Sequence, residues 1–507
     1  MNKINRRHFI TTAGVSSYAL YVQADDTIQT GDEIPICTQG NCDPVIDLSI
    51  LTESPDHRFS GEPYMETVDL EADLLVAGGG LAGVCAALAA ARNGISVILV
   101  QDRSVLGGNS SSEVRMHVVG ANSENSRPGW REGGIIEELR LDDAANNPQR
   151  SFEIWSLLLY DKVKRESNIK LLLDTSVYAA ESSNRKITRV MARCDKSEQL
   201  YRIRAAYFAD CTGDARLALE SGAPVMWGHE DKSAFGESLA SDESSIHTQG
   251  SSILFTSRNW GKPMPYTPPS WARKIEAKHL QFRKPGSWEY GYWWIELGGK
   301  SNTIKDNEKL RFELLSVVTG VWDYIKNSGE YPKSETWAID WIGMVPGRRE
   351  SRRIIGEIVL TQNDLEGRAD GFQDAVCIGG WSMDDHPPGG FDDTDKRPAI
   401  QVALREVYNM PLRSFYSRDI NNLFMAGRNA SCSHVAFSST RVMATCAVMG
   451  QAVGTAAAQC VREKISPAHL ANNPESIERL QQTLLKQDQT IKNVTNLDPG
   501  GDLAREA

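Results

Sequence analysis

No two of the nine cysteines are spaced as Cys-x-x-Cys, and their number is odd. The spacings that build haem attachment, iron–sulfur ligation and zinc ribbons are therefore missing, and no metal site is expected. No apolar run approaches the roughly eighteen residues that a membrane helix requires, so an integral membrane protein is not expected. Positive charge is in deficit as well. The 55 Lys and Arg stand against 66 Asp and Glu, a net charge of −11 that disfavours nucleic acid and anionic lipid as partners. Internal repeats and low-complexity tracts are lacking. With 41% hydrophobic and 24% charged residues over 507 positions, the chain is globular and long enough for two or three domains.

The N-terminus reads differently. Asn5-Arg6-Arg7-His8-Phe9-Ile10 precedes a modest apolar stretch, which ends in Val22-Gln23-Ala24 before two aspartates. This resembles a twin-arginine export signal over residues 1–24, with a periplasmic location expected for the mature chain. Residues 25–66 have no periodicity and are expected to form a surface extension, in which Cys37 and Cys42 are close enough to pair outside the cytoplasm.

From residue 67 the pattern sharpens. Asp73-Leu-Leu-Val-Ala77 is an apolar strand, Leu81 to Asn93 an Ala-rich helix, Gly94 its stop, and Ile95 to Val100 a second buried strand. Between strand and helix, Gly78-Gly79-Gly80-Leu81-Ala82-Gly83 satisfies the dinucleotide pattern. Gly78 permits the tight turn, Gly80 lets the backbone approach a pyrophosphate, and Gly83 lets helix and strand pack closely. The N–H groups that open the helix at Leu81 and Ala82 then face the phosphates. The ribose acid is expected at the end of the second strand. Here Gln101 stands in the usual Glu position, followed by Asp102 and Arg103.

A helix is expected over 151–167 and a strand over 169–177, then a hairpin turning near Ser183-Asn184-Arg185. Residues 226–395, punctuated by Pro and aromatics and carrying an amphipathic helix near 306–327, read as an inserted substrate lobe. The first nucleotide-binding segment then spans 67–225 and the second 396–465, which includes a small-residue helix from about Ser438. Residues 466–507 form a C-terminal helix and tail. Gly450 and Gly454 are expected to let the small-residue helix pack closely.

Phe208-Ala-Asp-Cys-Thr-Gly-Asp214 and Asn422-Leu-Phe-Met-Ala-Gly427-Arg428 resemble the second and third FAD fingerprints of glutathione-reductase-like flavoproteins. With Val100–Glu113, Pro346–Arg353, Asp384–Gly390 and Ala426–Ala436, nearly the whole mature chain is similar to an exported bacterial branch of the FAD-dependent oxidoreductases, related to fumarate reductase and succinate dehydrogenase flavoproteins. The resemblance implies an α/β fold, a Rossmann-like FAD-binding domain with an inserted α+β cap. It implies FAD contacts from Gly108, Asn109 and Ser110 beside the flavin, Val177, Thr212, Gly213 and Asp214, and Gly427 and Arg428, with Arg441 and Val442 at the flavin end. Serines stand in the loop where related proteins carry a flavin-linked histidine, so a noncovalent flavin is favoured.

Alcohol oxidation also needs a base. His434 is expected to lie beside the flavin in that role, with His386 as second candidate and Asp385 as its possible orienting acid. Arg348, Arg349, Arg352 and Arg353 have helical spacing, and Arg349 is expected to face flavin or substrate. Trp288, Tyr290, Tyr292 and Trp294 alternate as on one strand face, a wall suited to a sugar ring. The leading expectation is oxidation of a CH–OH group on a small carbohydrate-like substrate, with electrons passing to an unknown acceptor other than soluble NAD(P). A flavin lyase or hydrolase working through transient oxidation stays open, as does a protein that binds FAD only structurally.

Overall fold

The computed structural model describes residues 65–121, 130–367 and 371–497. Residues 1–24, expected to be an export signal, and Cys37 and Cys42 lie outside them. Leu74, Leu75, Val76 and Ala77 are apolar on both faces of the chain and are all fully buried, as the centre of a parallel sheet requires. They end strand β1 (Glu66–Ala77). Helix α1 (Leu81–Arg92) follows, buried from Leu81 to Ala91, and β2 (Val97–Val100) returns parallel to β1. Next come helices α2 (Ile135–Asn146) and α3 (Phe152–Arg165), the latter capped by the Ser151 hydroxyl, and β3 (Ile169–Leu172) beside β2.

Strands β4 (Ser176–Ser183) and β5 (Lys186–Cys194) form the expected hairpin. Asn184 and Arg185 both take positive φ, +51° and +59°, the geometry of a two-residue turn that follows strand twist. The one expected strand over 169–177 is two, broken at Asp174 with φ +53°. Strand β6 (Gln199–Asp210) completes this run, antiparallel to β5 and parallel to β1.

Residues 226–395 contribute no strand to this seven-stranded sheet and gather their own core. Helix α4 (Asn307–Asn327) turns Leu310, Leu314, Val317, Val321 and Ile325 onto Phe255, Tyr292 and Trp294. Each such side chain contributes about 1.5–3 kcal/mol when fully buried, so this lobe has a stabilising interior of its own. A short strand β7 (Met383–Asp385) lies at its end. The chain then re-enters the main sheet as β8 (Leu423–Met425), parallel to β6, and closes with α5 (His434–Thr440), α6 (Met443–Glu463) and α7 (Pro474–Lys486). A Cβ on Gly450 or Gly454 would stand 2.0–2.1 Å from the carbonyl oxygens of Ala82 and Ala86, so these two glycines let α6 lie directly on α1.

Three further sequence expectations are corrected. Residues 348–353 are extended, pairing as Gly347–Arg348 and Arg353–Ile354 rather than winding into a helix, because alternate residues serve opposite sides of the segment. Residues 288–294 do not form one strand face. Tyr292 and Trp294 stack in the lobe core with ring centroids 4.6 Å apart, whereas Trp293 points elsewhere. The helix expected from Ser438 begins at His434, capped by the Ser433 hydroxyl, and breaks before Met443.

Candidate active site

Strand register gathers the three glycine motifs. Ala77 is level with Val100 and Asp210, and Asp210 with Met425, so four parallel strands end at one edge and hand over to Gly78, Gln101, Cys211-Thr212-Gly213 and Ala426-Gly427. That edge, where parallel sheets bind their ligands, borders a cavity of about 920 Å³. Gly78 takes φ +102°, closed to a side chain, and a Cβ on Gly83 would meet Gly78 O at 1.8 Å. Around Gly80, by contrast, a Cβ would meet no heavy atom closer than 4.0 Å. The backbone leaves there the free cradle that a pyrophosphate needs, at the opening turn of α1.

Of the expected cofactor residues, the cavity wall carries Gly78, Gly80, Leu81, Ala82, Gln101, Asp102, Arg103, Gly108, Asn109, Val177, Thr212, Gly213, Asp214, Gly427, Arg428, Arg441 and Val442. Arg216, Arg348 and Arg352 join Arg103 and Arg428 there, so the wall near the glycine turns is cationic, as a diphosphate requires. Asp214 ties this wall together. It pairs with Arg348, accepts from the Ser351 hydroxyl at 2.6 Å and lies 3.5 Å from Arg428. Burial pushes its carboxyl up, but the two arginines hold it below its ordinary value.

Gly83, Ser110 and His434 are not on the wall. Gly83 serves packing, as expected. Ser110 is a correction: it is buried, donates to Gly107 O and accepts from the Trp155 indole, so its hydroxyl is spent inside the protein. Gln101 is another. Its Oε1 accepts from Gly79 N at 2.7 Å and its Nε2 donates to Val105 O at 3.2 Å, which fixes the glycine turn; Asp102 beside it also lines the cavity.

At the far end, β7 points Asp384 and then His386 toward the cavity. His386 Nδ1 lies 2.6 Å from Glu296 Oε2, and its Nε2 is 3.4 Å from Asp384 Oδ2. Burial would raise Glu296, but Arg349, 3.4 Å away, and His386 keep it ionised. Arg349 lines the cavity as expected. It also donates to the Ser252 hydroxyl and to Trp293 O, both at 2.9 Å, and so braces Trp293, whose ring stands edge-on to His386. Arg441 reaches Asp384 at 3.2 Å. Helix α6 starts here, its first turn aimed at the same end. Glu296 was overlooked in the sequence. The available signal was a lone carboxylate closing the apolar run Trp293-Trp294-Ile295, where a buried charge demands a partner.

His434 is the main correction among the catalytic candidates. It lies on the opposite side of β7, 4% exposed, with Nδ1 3.0 Å from Glu350 and Nε2 3.1 Å from Asp385. Asp385, expected to orient His386, serves His434 instead, because successive strand residues point to opposite faces. His229 stacks on His434 at 3.5 Å with the rings 22° from parallel. His229, Glu350 and His434 each bring one ligand-type atom within 4.8 Å of the others, and both ring nitrogens of His434 are already engaged by Glu350 and Asp385.

No helix among the described residues is long and apolar enough to cross a membrane. Among curated protein sequences none matches the chain. Solved structures similar to it include L-proline dehydrogenase from P. horikoshii, at 19% identity over 29% of this chain and 24% of that one, with a TM-score of 0.19. E. coli quinol fumarate reductase FrdA is 13% identical over 87% of this chain and 77% of its own, with a TM-score of 0.32. Mycobacterium smegmatis Sdh1 is 14% identical over 78% and 69%, with a TM-score of 0.31. The chain thus spans about a quarter of the proline dehydrogenase, and TM-scores this low carry no argument. The model of the family described as FAD dependent oxidoreductase matches residues 73–484, most of the chain. With that match and a cavity whose glycine turns and arginines fit the dinucleotide, the chain belongs to the FAD-dependent oxidoreductase family and takes FAD as its cofactor.

Proposed function

We propose that the enzyme oxidises a CH–OH group of a neutral, carbohydrate-like substrate, with His386 as the base. When bound, FAD supplies the acceptor for the two electrons that leave the carbinol carbon. The hydroxyl proton must leave as well, and His386 takes it at Nε2. Glu296 accepts the Nδ1–H at 2.6 Å, which selects the tautomer with a free Nε2 lone pair and stabilises the imidazolium that forms. This buried Glu296–His386 pair on the cavity wall is the observation that carries the reading. The contact from Nε2 to Asp384 is long, and Asp384 is already engaged by Arg441, so it does not hold the nitrogen against the substrate.

Charge supports a neutral substrate. The arginines at this end each face a carboxylate, Arg349 with Glu296 and Arg441 with Asp384, which leaves no uncompensated cation for an anionic substrate. Trp293, 39% exposed, offers a flat face beside His386 of the kind on which sugar rings stack. Within the same proposal, residues 226–395 act as the lobe that encloses the substrate. Residues 1–24 direct the folded protein to the periplasm, and electrons leave to an acceptor other than soluble NAD(P). Anaerobic bleaching of the bound flavin by a panel of sugars, hydroxy acids and amines tests this. Reduction by a sugar or polyol is expected, and reduction by amines alone rejects it. Net consumption of an acceptor separates oxidation from a lyase reaction that ends without redox change.

A further inference from the structure

The second histidine cluster, behind the cavity, has a definite charge state written in its geometry. A neutral imidazole carries one N–H, so with carboxylates at 3.0 and 3.1 Å from its two nitrogens, a neutral His434 would set a lone pair against an anion. The imidazolium donates to both. Charge balance agrees. Glu230 accepts from His434 N at 2.8 Å, Glu350 and Asp385 flank the ring, and Glu237 takes the Ser433 hydroxyl. The cation packed against these acids is Arg353, 3.0 Å from Glu230 and 3.8 Å from Glu350. One guanidinium against that many carboxylates leaves a deficit that a protonated His434 reduces. Burial alone would lower His434, but Glu350 and Asp385 raise it to about 10. His229, stacked on it, is pushed down to about 4, chiefly by burial and then by the His434 charge, so the stacked pair carries a single positive charge, on His434.

The two carboxylates come from different segments. Glu350 follows Arg349, and Asp385 precedes His386, so each segment presents one residue to the cavity and its neighbour to His434. We propose that protonated His434 is a positioning residue, an ionic clamp that ties the segment carrying Arg349 to the strand carrying His386 and holds both side chains in the cavity wall. This rests on the reading of His386 as base only for its effect on turnover; the charge state and the clamping stand on their own.

The test uses the FAD-loaded protein labelled with ¹⁵N-histidine, and needs no substrate. At about pH 8.5, above the ordinary histidine value of about 6.5, the resonance lost in His434→Gln is expected to show two protonated nitrogens. One protonated nitrogen overturns the clamp. In His434→Gln the His386 signal is expected to lose its single Nδ1–H tautomer and average over several environments, and an unchanged His386 signal overturns the positioning role. Should that variant not fold, Asp385→Asn removes one anchor and is expected to leave His434 singly protonated at the same pH; a still doubly protonated ring rejects the proposal. Turnover of His434→Gln is expected to fall by no more than about 10²-fold through misplacement, with KM rising, while FAD stays bound. If the clamp is seen and His386→Asn nevertheless keeps full turnover, the proposed function fails and the clamp survives.

Discussion

Two histidines on opposite sides of β7 are each set against carboxylates, and the difference between them lies in the second nitrogen. His386 has one tight partner, Glu296 at 2.6 Å, and a loose one at 3.4 Å that Arg441 already occupies. His434 has two tight partners, and its backbone N–H is engaged as well. The first ring is oriented but can still accept a proton. The second is saturated and serves as a fixed cation. Burial does not separate them, since both are nearly inaccessible. Partner count does, and it supports the proposed base on the cavity face and the proposed clamp on the back face.

The largest way to break this comparison is to empty the cavity face alone. Gly80→Val places a side chain in the open cradle, where the protein itself offers no clash, so the variant is expected to fold, to melt near the wild-type temperature and to lose its FAD completely. Flavin absorbance after gel filtration reads the result, and retained FAD would show that the pyrophosphate does not lie at this turn. A smaller effect separates the two histidines directly. His386→Asn is expected to keep FAD and slow flavin reduction by about 10²-fold or more, the usual contribution of a positioned base. Its Km should change little. If His434→Asn slows reduction as much at unchanged Km, the assignment of roles is wrong.

Stability against pH sharpens the contrast further. A histidine raised in the folded state to about 10 stabilises fully below its ordinary value of about 6.5, and that contribution is lost as pH rises toward 10. Asp385, raised by burial but lowered on balance to about 2 by His434, contributes above its ordinary value of about 4 and loses this as pH falls. The melting temperature of the wild type relative to His434→Gln is therefore expected to be highest near pH 4–6.5 and to converge by about pH 10. A wild-type advantage that instead shrinks as pH falls below about 6.5 would mean that the folded ring stays neutral.

The cofactor half of this molecule was legible in the sequence because it is written in local signals. A strand, a glycine turn and a helix sit within about thirty residues, and the positive φ of Gly78 and the packing of Gly83 follow from that pattern alone. The catalytic half depends on side-chain direction over short extended segments separated by up to 204 residues, as between Glu230 and His434. There a single residue of register decides the side. Reading Arg348 to Arg353 as helical grouped residues that the strand-like chain sends to opposite faces, and reading 288–294 as one strand hid that Trp293 alone turns to the cavity. His434 was close to the cofactor motif in sequence but behind the wall in space.

Gln101 carries the same lesson at the smallest scale, and offers the finest test of it. It stands on the cavity wall where a ribose-binding acid is usual, yet its amide bonds Gly79 N and Val105 O and so works inward. Gln101→Ala removes both bonds and leaves the buried Gly79 N–H without its partner, at a cost of about 1–3 kcal/mol. FAD is expected to remain bound with affinity weakened by less than about tenfold, because Asp102 still faces the cavity and the loss reaches the cofactor only through a looser turn. Asp102→Ala is expected to show the opposite balance: unchanged melting of the protein stripped of FAD, and weaker FAD binding. Titration of both variants with FAD, alongside thermal melts of the stripped proteins, reads the two quantities separately. If Gln101→Ala weakens FAD more than Asp102→Ala does, the amide reaches the ribose after all, and the division between residues that touch the cofactor and residues that shape its wall must be redrawn at this position.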